Sequence, residues 1–297
     1  MEHQSYSIIT IANQKGGVGK TTGVVNIASA YATMGNKVLV IDLDYQANTS
    51  SLLRVKEEAA QGNKNVTFAI KNQIENLEEV VIKTEFENID CLAATKSLSQ
   101  IPEQYLGRPN QFQLLHPILQ SNDIKKYDII LIDTHPSCDA LFQSALSASD
   151  YYLIPIFPEE DSIEGLADQL EKAEEVRKYQ NRMLMLLGCF VSSYQKDNST
   201  HRKYDQRLKE ISEGGKFKVF KTRIPFSKSV AAAATEKKPL HFYRSASTVA
   251  AAYTALAGEI SPELKGRRKG RRHSPPDYSY VKNAPLPSDS FETEITL

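Results

Sequence analysis

The stretch Ser7-Ile8-Ile9-Thr10-Ile11-Ala12-Asn13-Gln14-Lys15-Gly16-Gly17-Val18-Gly19-Lys20-Thr21-Thr22 begins as a strand and ends as a helix. Its first five residues are mostly β-branched and apolar, and the run is short enough for a buried strand. Three glycines then break it, and a helical pattern runs from Thr21 to about Met34. A strand, a glycine loop and a helix N-terminus together form an anion site, because backbone N–H groups and the helix dipole converge on it. Gly16, Gly17 and Gly19 let the backbone wrap a phosphate without Cβ clashes. Lys20 is expected at the β- and γ-phosphates, the Thr21 hydroxyl on Mg²⁺, and Val18 and Thr22 in the same cradle. The usual spacing is G-x-x-x-x-G-K-[ST], and here Gln14 occupies the first glycine position while an extra lysine, Lys15, opens the loop.

Outward from this stretch, apolar runs and helical patterns alternate. Lys37–Asp42 reads as a second buried strand, continuing into Leu43-Asp44, and Asp44 to Ser50 as a polar loop. That loop lies at a carboxyl strand end, the edge where parallel sheets hold ligands. Residues 51–87 read as helical and partly irregular, Ile89–Ala93 as a short strand, and 109–122 as helix-like. In Tyr127–Ser137, four aliphatic residues run into Asp133, a carboxylate at a strand tip. It is suited either to holding Mg²⁺ through water or to capping the next helix; beside the glycine loop, the metal role is favoured. Tyr151–Phe157 and Met183–Ser192 predict further strands, the latter central, with a helix over about 162–178 between them. A charged helix over 201–211, a short strand at Phe217–Lys221, an alanine-rich helix after Ile224-Pro225 and a last helix over 247–260 complete the pattern. The predicted fold is α/β, a mostly parallel, doubly wound sheet with helices on both faces.

The 297 residues carry 36 basic and 36 acidic side chains, so no overall field attracts nucleic acid or membrane. Cys91, Cys138 and Cys189 are scattered in apolar surroundings and read as buried reduced thiols, which points to the cytoplasm. Met1-Glu2-His3-Gln4 leads into no signal-peptide core, and no apolar run approaches the roughly 20 residues that span a bilayer. After Ser261 the composition shifts. Lys265, Arg267, Arg268, Lys269, Arg271 and Arg272 crowd eight positions, followed by proline-rich and then acidic sequence. The expected division is a domain over 1–261 and a disordered tail over 262–297.

The glycine loop, Asp42-x-Asp44 and Asp133-Thr134-x-Pro136-Ser137 together resemble the ParA/Soj family of deviant Walker A ATPases, over roughly residues 5–260. The resemblance implies a P-loop fold and a monomer that binds ATP and Mg²⁺, then closes face to face into a nucleotide-sandwich homodimer. Such a dimer binds DNA non-specifically, associating with the nucleoid, until a ParB-like activator triggers hydrolysis and moves a plasmid, chromosome or other cargo. Lys15 would then be the lysine that reaches the partner's phosphates. Asp44 would position the attacking water, Asp42 and Asp133 would support Mg²⁺ with Thr21, and Pro225-Phe226 would lie beside the adenine.

Three departures stand out. Tyr45 replaces the family's usual proline, and His135 its proline or alanine. Both bear on the stiffness of the loops beside the γ-phosphate, and His135 is either a titrating group there or an inert replacement. In the helix after Ile224-Pro225, Phe226 and Ser229 stand where Soj-like chains carry DNA-binding arginines, leaving Lys228. The basic block is therefore the expected main DNA contact. A MinD-like membrane-positioning ATPase is the alternative, but such chains end in a basic helix with an apolar face, and this block has glycines instead. Stable membrane association is not expected. A tyrosine autokinase, suggested by Tyr278 and Tyr280, fits less well because those kinases lack the leading lysine-glycine-glycine.

Overall fold

A computed structural model describes residues 6–268 and 278–283. In the first half, β1 (Ser7–Ile11) leads to α1 (Lys20–Thr33), and β2 (Val38–Leu43) to the short helices α2 (Asn48–Leu52), α3 (Lys56–Gln61) and α4 (Val66–Lys71). Then come β3 (Ile82–Lys83), β4 (Ile89–Leu92), α5 (Ile101–Tyr105), α6 (His116–Leu119), β5 (Ile129–Thr134) and α7 (Ala140–Ser147). The second half runs β6 (Tyr151–Ile156), α8 (Glu160–Tyr179), β7 (Met185–Tyr194), α9 (Ser199–Gly215) and β8 (Val219–Pro225). The helices α10 (Lys228–Thr235), α11 (Leu240–Arg244), α12 (Thr248–Arg268) and α13 (Tyr278–Asn283) follow. The strands form one sheet in the order β3-β4-β2-β5-β1-β6-β7-β8, parallel throughout except for the edge strand β3.

Strand periodicity explains the layers. Side chains alternate across a sheet, so Ile9, Ile11, Val38, Val40 and Leu131 join α1 and α12 on one face. Leu39, Ile41, Ile130 and Ile132 join α4 to α7 on the other. Farther along that second face, Ile154 and Ile156 pack with Leu166 and Leu170 of α8 and Leu208 of α9. Each fully buried aliphatic contributes roughly 1.5–3 kcal/mol, and strands apolar on both faces can lie only inside such a sandwich. The predicted fold class is what the chain adopts.

Several boundaries differ from expectation. Over 109–122 the α-helix is confined to α6, because Pro117 belongs to a helix start and the preceding residues turn on themselves, as Gln111 and Gln113 donate to the carbonyls of Arg108 and Asn110. The strand expected at Phe217–Lys221 is β8, shifted onward to Pro225, and the strand expected to be central, β7, is next to the edge. The helix α12 passes through residue 261 and through Pro262, so the compositional change there is not a structural one. Leu264 is buried and Glu263 ion-pairs with Lys218 at 2.7 Å, which ties this end of α12 to the domain. Within the rest of the expected tail, α13 packs on α8 and α9 through buried Val281 and a 3.5 Å contact between Lys282 and Glu171.

The glycine in β7 has a steric cause. Gly188 of β7 faces a register shift in β6 and has φ +146°, and a Cβ there would meet the Lys218 carbonyl oxygen at 2.8 Å and the Phe220 ring at 2.9 Å. Gly188→Ala is expected to destabilise the protein by about 1–3 kcal/mol. Gly165→Ala, in α8 with open space around it, should instead be neutral or gain up to about 1 kcal/mol. Thermal or urea unfolding of the two variants checks the contrast. Equal stability of Gly188→Ala and the parent would overturn the steric account.

Candidate nucleotide site

The loops after β1, β2, β5, β6, β7 and β8 gather at the carboxyl edge of the sheet. Between β1 and α1, Gly17 and Gly19 adopt φ +77° and +93°, the left-handed conformation that glycine takes without strain. Gly19 is the N-cap of α1 and no described side chain caps that helix, leaving the N–H groups of its first turn for an anion. The loop is braced from below. The Ser192 hydroxyl of β7 donates to the Val18 carbonyl at 2.7 Å, and the Asn13 side chain donates to the Pro155 carbonyl at 2.8 Å. Gly16 and Gly17 are exposed at the rim, whereas Val18 is buried.

Lys20 turns back under this loop. Its ammonium donates to the Lys15 carbonyl at 2.9 Å, and burial lowers its pKa against the opposing pull of Asp133 and Asp44. A buried cation fixed beneath uncapped N–H groups is suited to polyphosphate.

The carboxylates differ in role. The Thr21 and Thr49 hydroxyls each donate to Asp133 Oδ2 at 2.8 Å, while buried Asp133 Oδ1 has no hydrogen-bond partner among the described residues. A hydroxyl and an unsatisfied carboxylate oxygen side by side are hard-oxygen donors of the kind Mg²⁺ takes. Asp42, which pairs in register with Asp133, is otherwise engaged. Its Oδ2 accepts from the Ser50 N–H and hydroxyl at 2.8 and 2.6 Å, and its Oδ1 from the Asp44 N–H at 3.1 Å. Asp42, expected beside a metal, thus shapes the loop that carries Asp44. Burial pushes both carboxyls up; Asp133 adds to this at Asp42, and Asp44 adds to it at Asp133. Asp44 itself is 7% exposed, with Oδ1 accepting from the Gln46 N–H at 2.9 Å.

Lys15 points elsewhere. Its ammonium meets Glu159 at 2.5 Å and Asp161 at 3.3 Å, both at the start of α8. Partial desolvation opposes its charge, but the hydrogen bonds to these two carboxylates outweigh it and raise the pKa. Across the site, Pro225 pairs with Tyr194 and the Phe226 N–H donates to the Tyr194 carbonyl at 2.9 Å. The Phe226 ring is 57% exposed. Thr22 lies in the first turn of α1, and Lys228 is exposed at the start of α10. Lys265, Arg267 and Arg268 lie in the last turns of α12; Lys269, Arg271 and Arg272 lie outside the described residues.

The structure thus brings together Lys20, Thr21, Asp133 and Asp44 and sets Lys15 apart. Thr49, Ser50, Ser192, Glu159 and Asp161 join the site in the structure without being among the residues that the sequence singles out. The polar run Asn48-Thr49-Ser50 after an aspartate-tipped strand was the available signal for the first two; Ser192 had none.

Residues 6–186 match the family model described as an AAA domain. The chain is 32% identical over 254 residues to the sporulation initiation inhibitor protein Soj of Bacillus subtilis, covering 86% of this chain and 98% of that protein. It is 34% identical over 257 residues to the chromosome-partitioning ATPase Soj of Thermus thermophilus, covering 86% and 96%. A solved putative plasmid partition protein of Borrelia burgdorferi B31, bound to AMPPNP, superposes with a TM-score of 0.70 at 27% identity, covering 87% and 99%. With a braced phosphate loop, a threonine joined to a strand-tip aspartate and these relatives along most of its length, the chain belongs to the ParA/Soj family of partition ATPases.

Proposed function

We propose that this chain is a Mg²⁺-dependent ATPase whose ATP-bound form is a sandwich homodimer that binds DNA without sequence preference. A ParB-like partner would stimulate hydrolysis and so move or position a cargo. The observation that carries this is the division of labour between two lysines. Lys20 fills the floor of its own loop, while Lys15 is held away from that floor by Glu159 and Asp161, which supports a role for it toward a second copy. The AMPPNP-bound Borrelia relative and the named partition relatives support the same assignment.

In this mechanism the N–H groups of the loop and α1, with Lys20, hold the β- and γ-phosphates. Thr21 and Asp133 would hold Mg²⁺, which would supply positive charge to offset that of the phosphates. Asp44 orients the attacking water, and Asp42 with Ser50 keeps the Asp44 loop in place. Pro225 and Phe226 offer backbone and ring to the base. Lys15 from the partner contributes charge in the transition state, the role of an arginine finger.

The basic block at 265–272 and Lys228 would meet DNA, and the dimer presents two copies of the block at once, which raises effective concentration. Among the described residues no helix is long and apolar enough to cross a membrane. Cutting the chain after Glu263 would also remove buried Leu264, so replacing the block's six basic residues by glutamine is the cleaner test. ATP-dependent DNA binding is expected to weaken strongly in that variant. The log–log salt slope should become shallower by about 0.9 for each DNA phosphate that the variant no longer neutralises. If affinity and slope both persist, the DNA surface lies in the folded domain. If the parent chain sediments with anionic vesicles and not with DNA, the MinD-like alternative replaces this function.

A further inference from the structure

The strands β2 and β5 pair in parallel with Asp42 opposite Asp133 and Leu43 opposite Thr134. One step farther out, the same register brings the residues leaving the two strands, Asp44 and His135, face to face. His135 Nδ1 lies 3.4 Å from Asp44 Oδ1, and its Nε2 is 2.9 Å from the Tyr45 hydroxyl. The Tyr45 and His135 rings stack at 4.3 Å between centroids, tilted by 44°. Nδ1 is buried and has no closed hydrogen bond among the described residues; the oxygen it faces is that of Asp44.

We infer that His135 is a positioning residue for Asp44 and that Tyr45 fixes the imidazole for that task. This rests on the ATPase function proposed above. A carboxylate only accepts hydrogen bonds, so in the neutral ring Nδ1 must carry the proton that faces Asp44. Nε2 is then the acceptor and takes the Tyr45 O–H. Tyr45 is the chain neighbour of Asp44, so the contact closes a small ring: Asp44 to Tyr45 through the backbone, Tyr45 to His135 through the hydroxyl, and His135 back to Asp44. A buried N–H without a partner costs free energy. A shift of about half an ångström, with a turn of the imidazole that aims Nδ1–H at Oδ1, brings the pair to an ordinary hydrogen bond, and that penalty favours closure. Closure would give Asp44 Oδ1 a second donor besides the Gln46 N–H, and it couples the loop after β2 to the loop after β5. Positions 45 and 135 are two of those at which the chain departs from the family pattern. Here they compensate each other.

The test uses the full chain with Mg²⁺-ATP. His135→Ala is expected to lower kcat about tenfold, the effect of removing one charge-assisted hydrogen bond, with KM and directly measured nucleotide affinity within about twofold of the parent. His135→Asn, whose amide can reach the place of Nδ1, should recover most of the rate. Tyr45→Phe should lower kcat by a smaller factor in the parent and by none in the His135→Ala background. In protein labelled with ¹⁵N-histidine, Asp44→Asn should move the Nδ1 resonance of His135, and Tyr45→Phe its Nε2 resonance. The inference is overturned if His135→Ala turns over at the parental rate, if it loses nucleotide affinity as much as rate, or if both resonances stay in place. A parent chain that binds nucleotide and does not hydrolyse it would instead overturn the ATPase assignment, while the two resonances still judge the contact.

Discussion

Asp44→Ala is expected to bind ATP with near-parental affinity and to hydrolyse it at least about 10²-fold more slowly, the scale of a missing general base or water-positioning group. The reason lies in how the loop is built. The contact that anchors position 44 to Asp42 uses the backbone N–H, not the side chain, and Ser50 holds the other oxygen of Asp42. Alanine therefore keeps the anchor to Asp42 and loses, with the carboxylate, the hydrogen bond from the Gln46 N–H. Removing an interaction made chiefly in the transition state lowers kcat and leaves ground-state binding. An enzyme blocked after ATP binding should accumulate as the ATP-bound dimer, visible by size-exclusion chromatography with ATP and absent with ADP. Unchanged turnover would remove Asp44 from the mechanism.

The same loop shows what was legible in the sequence and what was not. Asp42, Asp44 and Asp133 are alike in composition and context, each an aspartate at or just beyond an aliphatic strand. Which of them faces Thr21 depends on inter-strand register and on the hydroxyls that happen to lie beside them. Asp133 is met by Thr21 and Thr49, and Asp42 by Ser50. Neither fact is encoded locally. The strand–loop–helix over 7–33 was legible because glycine spacing and the change of period are local signals. So were the two faces of the sheet, since alternate residues of β1, β2 and β5 divide cleanly between them. The end of α12 and the helix α13 were not legible, for the converse reason. Composition averages over a window, whereas contacts of individual residues, buried Leu264 and the Glu263–Lys218 pair on α12 and buried Val281 on α13, tie these segments to the core. The edge strand β3, two residues long, has no period to detect.

Lys15→Gln and Lys20→Ala are expected to fail in different ways. Without Lys20 the floor of the phosphate loop is stripped of its buried cation, whose ammonium also ties the loop together through the Lys15 carbonyl, so nucleotide affinity itself should collapse. Without the Lys15 ammonium the loop keeps its bonds through the backbone N–H of residue 15 and through Ser192, so the monomer should still bind ATP. What should disappear is the ATP-dependent dimer and stimulated hydrolysis, because a cation supplied in trans contributes about 10³–10⁵ in rate where it has been measured in other phosphoryl transferases. Glu159 and Asp161 sharpen the test. Their carboxylates hold Lys15 in the monomer at 2.5 and 3.3 Å, and both are substantially exposed, so each pair is worth no more than about 1 kcal/mol. Dimerisation must break these pairs twice, once in each copy. Glu159→Gln combined with Asp161→Asn should therefore lower the protein concentration needed for the ATP-bound dimer several-fold, measured by sedimentation velocity, and leave ATP affinity unchanged. Equal loss of ATP binding in Lys15→Gln and Lys20→Ala would show that both lysines serve the same nucleotide. A double variant that dimerises less readily would show that Glu159 and Asp161 help to build the interface and do not hold Lys15 back from it.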